Sequence, residues 1–177
     1  MAGKNEYASA LFALALEEKM LEEVKSDLEA LSDVLKKNPD YIKLLDTPAL
    51  SKEERLSLID EAFSSLGESV RNLLKILCEK HLVYTVAELC SSFISLYDEH
   101  SGIERVEAVS AVALTPLQSE AIIKKLTGMT QKKIILTNTV KPEILGGIIL
   151  RYSGIQLDGS VKARLDSFSE SLKNLNL

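Results

Sequence analysis

The period of the apolar residues changes once along this chain, at Gly102, and that change constrains the fold more than any other feature. Before it, large apolar side chains return every three or four residues, the repeat of helices that bury one face. Val24, Leu28, Leu31 and Leu35 form one such run, and Val86, Leu89, Phe93 and Tyr97 another. After it, Val106, Ala108, Ser110 and Val112 alternate with Glu107, Val109, Ala111 and Ala113, which is the period of a strand. The expected fold is mostly α: an N-terminal six-helix bundle over residues 1–102, followed by a small α+β C-terminal domain over residues 103–177.

Local punctuation divides these two parts into elements. The first helix runs from about Asn5 to Met20, and the second ends at Lys37. Asn38-Pro39 opens a short third helix, with Asn38 as its cap and Pro39 at the first helical position, and Thr47-Pro48 closes it. Ser51-Lys-Glu-Glu54 is a capping box for a helix whose buried stripe is Leu56, Ile59, Ala62 and Phe63 and whose stop is Gly67. The fifth helix carries Val70, Leu73, Leu74 and Leu77 and ends near His81; the sixth runs from about Val83 to His100.

Beyond Gly102, Thr115-Pro116-Leu-Gln118 is a second capping box, opening a helix to about Thr127, and Lys132 to Val140 is β-branched enough to read as a strand. Gly146-Gly147 then leads into Ile148-Ile-Leu-Arg-Tyr152, a tight turn at Ser153-Gly154 and a second short strand. Asp158-Gly159-Ser160 breaks that strand and offers Ser160 as the N-cap of a last helix, whose Val161, Leu165, Phe168 and Leu172 face the core.

Charge and motifs narrow the function. The net charge of −5 repels phosphate backbones, and no polybasic cluster favours anionic lipid. No apolar run reaches the roughly 18 residues of a membrane span, and Tyr7 to Leu16 reads as a helix of the mature fold rather than a signal peptide. Cys78 and Cys90 match neither a redox nor a zinc spacing, so they are expected as small core side chains in a reducing compartment. His81 and His100 are expected at helix ends or on the surface. With no His-Glu-x-x-His, no Walker loop and no G-x-G-x-x-G, no catalytic, cofactor-binding or metal-binding residue is expected, and the chain is not expected to bind ATP. The pairs Glu17-Glu18, Glu22-Glu23 and Glu53-Glu54 read as solvated helix faces pairing with lysines.

The first helix departs from ordinary amphipathicity. Ala8, Leu11, Phe12 and Ala15 make one apolar stripe, and Tyr7, Ala10 and Leu14 make a second. The fifth helix has its core stripe and, on an adjoining side, Asn72 and Ile76. Set side by side, the two would form a shallow apolar groove with a small-residue floor at Ala10, suited to an amphipathic partner helix. The other reading is that both extra stripes pack within the bundle.

Four blocks of residues carry a family resemblance: Tyr7-Ala8-Ser9-Ala10-Leu11-Phe12; Asn72-Leu73-Leu74-Lys75-Ile76-Leu77; Ala108-Val-Ser-Ala111 with Leu114-Thr115; and Gly146-Gly147 with Asp158-Gly159-Ser160-Val161 and Arg164-Leu165. In that order they resemble the delta subunit of rotary F-type ATP synthases, the family of the mitochondrial oligomycin sensitivity-conferring protein. Glu6 and Ser9 depart from the family's usual basic residues, and Ser153-Gly154-Ile155 from its usual Gly-Asp turn.

The resemblance implies a non-catalytic stator subunit of a proton-translocating ATP synthase, peripheral on the cytoplasmic face of the membrane. Its helical part would hold the N-terminal helix of the alpha subunit through Tyr7, Ala10, Leu11, Leu14, Asn72, Leu73 and Ile76. Its C-terminal part would hold the b subunit of the peripheral stalk. The alternative is a free-standing helical adaptor or regulator that uses the same groove.

Overall fold

The computed structural model describes residues 6–47 and 49–163. The chain is mostly helical, with a small four-stranded sheet in its C-terminal part. It divides into two compact units, one up to Asp98 and one from Glu99.

In the first unit the described elements are α1 (Glu6–Glu17), α2 (Leu21–Lys37), α3 (Pro39–Leu45), α4 (Lys52–Ala62), α5 (Glu68–Glu79) and α6 (Val86–His100), the last preceded by a 3-10 turn at Val83–Thr85. Its core is aliphatic and aromatic: Leu28, Leu45, Ile59, Leu74, Leu77, Leu89 and Phe93 are fully buried. Burial of each such side chain contributes about 1.5–3 kcal/mol. Phe12 meets Phe93 edge-on at 5.8 Å, and Tyr41 meets Phe63 the same way at 5.8 Å. Burial raises the Tyr41 hydroxyl pKa to about 12, and that hydroxyl donates to the Leu58 carbonyl.

Several helix ends differ from expectation. α1 stops at Glu17, short of Met20, because Lys19 enters left-handed backbone (φ 59°) and the Met20 N–H turns back to the Ala15 carbonyl at 2.8 Å. α5 ends near His81 as expected and by the same device: His81 has φ 56° and the Leu82 N–H reaches the Leu77 carbonyl at 2.8 Å. Asn38 does not cap α3 with its side chain; its amide donates to the Val34 carbonyl at 2.9 Å and closes α2 instead. Gly67 does not stop α4, which ends at Ala62, but serves as the N-cap residue of α5. The Gly67 N–H donates to Asp27 Oδ2 at 2.7 Å, and a Cβ added at Gly67 would sit 2.8 Å from that oxygen. Ala62, expected in the α4 stripe, is exposed, and Ile59 and Phe63 carry the burial.

The capping box at Ser51 is present in both directions. The Glu54 N–H donates to Ser51 Oγ at 3.2 Å, and the Ser51 N–H donates to Glu54 Oε2 at 2.8 Å. That backbone bond holds the Glu54 carboxyl below its usual range.

The second unit contains β1 (Ile103–Ser110), α7 (Pro116–Thr130), β2 (Lys133–Val140), a 3-10 turn at Pro142–Ile144, β3 (Ile148–Tyr152) and β4 (Ile155–Asp158). The strand order is β2-β1-β3-β4. β1 and β2 are parallel with α7 as their crossover, and β3 pairs antiparallel with both β1 and β4. Val106, Leu126 and Ile134 form the buried centre between α7 and the sheet, and Val109, Ile144 and Ile149 form a second cluster.

Alternation would carry β1 on to Val112, but the strand ends at Ser110. Asn138 explains the stop. Its amide donates to the Ala108 carbonyl and to Ser110 Oγ, both at 2.8 Å, while its carbonyl accepts the Leu114 N–H at 2.9 Å. The chain is thereby turned toward the Thr115 capping box, and Val112 is left exposed.

At the hairpin, Ser153 (φ 46°) and Gly154 (φ 76°) both have positive φ, the signature of a type I′ turn, which suits the twist of the strands it joins. Gly147 (φ 78°) lies against the next loop, where an added Cβ would come 2.3 Å from the Gly159 carbonyl oxygen. Ser160 is buried, and its Oγ accepts the Ala163 N–H at 3.1 Å, so the expected cap is formed. The same serine hydroxyl lowers the pKa of Asp158. The expected continuation of that helix through Leu165, Phe168 and Leu172 lies outside the described residues.

Candidate functional site

Two helix faces of the first unit combine into one groove. α1 buries Ala8, Leu11 and Ala15, which leaves Tyr7, Ala10 and Leu14 along its flank. α5 buries Val70, Leu74, Leu77 and Cys78, which leaves Ser69, Asn72, Leu73 and Ile76 along its own flank. The helices pack beside one another, so the two flanks become the walls of a trough of about 620 Å³.

All seven residues expected at a partner-binding site line this trough: Tyr7, Ala10, Leu11, Leu14, Asn72, Leu73 and Ile76. Leu14 is 41% exposed and Ile76 45%, so neither is a core residue. Leu11 is nearly buried and forms floor rather than wall. Ala10 is exposed and small, which keeps the trough open between larger neighbours. The Lys80 ammonium lies 5.5 Å from the centre of the Tyr7 ring, close enough for a cation–π contact.

Glu18, Met20, Glu68 and Ser69 also line the trough, and sequence reasoning missed them. The signal was available. Glu18 continues the Tyr7, Leu11, Leu14 flank by four residues, and Ser69 precedes Asn72 by three. Both are polar, and a search for apolar stripes passes over them.

Two other concavities are less suited to a helix. One of about 540 Å³ lies beside α3, lined among others by Val34, Pro39, Tyr41, Leu44 and Phe63. One of about 460 Å³ in the second unit is lined by Arg105, Glu107, Thr137, Thr139 and Arg151. There the Thr139 hydroxyl donates to Glu107 at 2.8 Å and Arg151 bonds it at 3.3 Å, and these two bonds lower the Glu107 pKa.

The reactive residue types are placed structurally. Both cysteines are free and buried, with their thiols donating to the Leu45 and Leu28 carbonyls at 3.5 and 3.4 Å. Burial pushes the Cys90 pKa up to about 11 and raises that of Cys78, which keeps both protonated and poorly nucleophilic. His81 is exposed, and its Nδ1 lies 2.7 Å from Asp46 Oδ1. Among the described residues no group of three or more His, Cys, Asp or Glu is disposed to hold a metal, and no helix is long and apolar enough to cross a membrane.

Residues 4–172 match the family model described as ATP synthase delta (OSCP) subunit. A protein of Lactobacillus gasseri named ATP synthase subunit delta is 37% identical over 170 residues, covering 94% of this chain and 92% of its own. The protein of the same name from Anaeromyxobacter dehalogenans is 33% identical over 169 residues, covering 94% of each. A chain in the cryo-EM structure of the Toxoplasma gondii mitochondrial ATP synthase hexamer superposes with a TM-score of 0.76, over 97% of this chain and 98% of that one. At 24% identity that last likeness is one of fold alone.

Proposed function

The chain belongs to the ATP synthase delta (OSCP) subunit family, and on that premise we propose that its α1–α5 groove holds the amphipathic N-terminal helix of the alpha subunit. The family's members are non-catalytic components of the peripheral stalk of a proton-translocating ATP synthase, and this chain is one of them. The adaptor alternative gives way to that membership. In our reading the six helices of the first unit act as a bundle seated on the catalytic head, over residues 1–102. Residues 103–177 hold the b subunit as it rises from the membrane, and the assembly works on the cytoplasmic face.

The observation that carries the reading is the exposure of Leu14 and Ile76 on facing flanks of one trough, where a self-sufficient domain would bury or replace them. An amphipathic helix laid into the trough would cover both and rest on Ala10. The work is static. Rotor torque would turn the catalytic head unless it were tied to the stalk, and a tie needs slow release rather than chemistry. Well-packed central anchors supply slow release, because dissociation must rehydrate them together.

The test is titration of the full chain with a synthetic peptide of the alpha subunit's N-terminal helix, followed by isothermal calorimetry. Saturable binding that is lost in Ala10→Asp, with the thermal transition unchanged, supports the reading. Binding unaltered by that substitution refutes it.

A further inference from the structure

The groove is apolar along its length but acidic at one end. Glu18 and Glu68 both line it there, beside Met20 and Ser69, while Tyr7 and its Lys80 contact mark the other end. The geometry follows from the helices: the end of α1 lies by the start of α5.

The two carboxylates are not equivalent in local terms. Glu68 is in the first turn of α5, where a negative charge answers the positive end of the helix dipole, and its presence has a local explanation. Glu18 has none. It follows Glu17 at the carboxyl end of α1, where the dipole is negative and no basic residue occupies the last turn. A carboxylate there is mildly unfavourable to its own helix. Neither Glu18 nor Glu68 has an ion-pair partner among the described residues, and both side chains are exposed. Two exposed carboxylates therefore line one end of the trough, and among its lining residues the acidic ones lie at that end, so a helix docked there meets negative charge at that end.

Resting on the groove reading above, we infer that the docked helix carries a lysine or arginine at the end seated between Glu18 and Glu68, and that this charge sets the direction and register of docking. Apolar side chains repeating every three or four residues fit the trough almost equally well in either direction or slipped by one turn. A single cation at one end does not, because reversal or slippage takes it away from both carboxylates. The charges select an arrangement, and the apolar floor supplies most of the affinity.

The test uses the full chain and three synthetic amphipathic helices with identical apolar faces, followed by fluorescence anisotropy in low salt. One bears arginine at its amino end, one at its carboxyl end, and one bears glutamate at both. Both arginine peptides are expected to bind about three- to tenfold more tightly than the glutamate peptide, each in the direction that brings its arginine to the acidic end, consistent with partly exposed ion pairs. The preference should shrink toward unity at 1 M salt, where charges are screened within about 3 Å. In the Glu18→Lys/Glu68→Lys double variant the glutamate peptide should bind better than either arginine peptide. Equal binding of all three to the unaltered chain, or an unchanged ranking in the double variant, overturns the inference and leaves the groove reading intact. Failure of every peptide to bind overturns the groove reading itself and the inference with it.

Discussion

The helical unit and the sheet unit solve the same problem with different materials. The first is held by a large aliphatic core with Phe93 at full burial, and it can leave apolar side chains exposed along the α1–α5 trough. The second has smaller apolar clusters, and polar and backbone contacts bring together its distant segments. Asn138 joins β2 to the end of β1 and the start of α7. Glu104 accepts from Ser153 at the hairpin turn and from Lys132 at 2.9 Å ahead of β2. Gly147 permits the close approach of the Gly159 loop. The difference teaches where change is tolerated. Flank substitutions in the helical unit should alter binding with little effect on folding, and single polar or glycine substitutions in the sheet unit should alter folding.

The contrast is tested most severely at Gly147. Gly147→Ala combines a positive φ with a clash against a backbone carbonyl, and should cost about 3 kcal/mol, read as a shift in denaturant midpoint. Ile76→Ala, on an exposed flank, should cost less than about 1 kcal/mol in the same assay. Equal costs would break the comparison. Next in size, Asn138→Ala removes three hydrogen bonds and strips the Leu114 N–H of its acceptor, for an expected loss of about 2 kcal/mol by urea denaturation.

The two capping boxes sharpen the comparison, because they are the same device in both units. Ser51→Ala and Thr115→Ala should each cost about 1 kcal/mol. A much larger effect at Thr115 would mean that α7 depends on its cap in a way that α4 does not.

The smallest effect concerns acid. The Ser153 hydroxyl, and after it the Lys132 ammonium, lower the pKa of Glu104. A lowered carboxylate contributes stability above its unfolded-state pKa, and that contribution fades as pH falls below 4.5 through the lower folded-state value. Glu104→Gln should therefore flatten the loss of stability on that acid limb by lowering the melting temperature more at pH 6 than at pH 3, as followed by thermal melts from pH 6 to 3.

Much of this was legible in the sequence wherever a rule is local. Both capping boxes, the Ser160 cap and the hairpin turn follow from residues within a few positions of one another. The second apolar stripe of α1, Tyr7, Ala10 and Leu14, was legible at fixed spacing, whereas the grouping of all seven residues as one binding side came from the family resemblance. The misreadings have a common cause. Asn38 sits at the N-cap position of α3 as expected, but its side chain closes α2; Gly67, expected to stop α4, opens α5 with its N–H held by Asp27, forty positions away. Lys19 adopts left-handed backbone without being glycine, so nothing in its identity announced where α1 would stop.

Neighbours in the chain alone set the two hydrophobic periods, the two capping boxes and the Ser160 cap, and which faces are apolar. Only the tertiary structure decided that the flank of α1 meets the flank of α5, that β1 lies between β2 and β3, and that Glu104, Asn138 and Gly147 are the points where the sheet unit is tied. Those are encounters between residues far apart in the chain. Many distant partners satisfy the same local pattern, and the choice among them rests on how the whole set of surfaces packs at once.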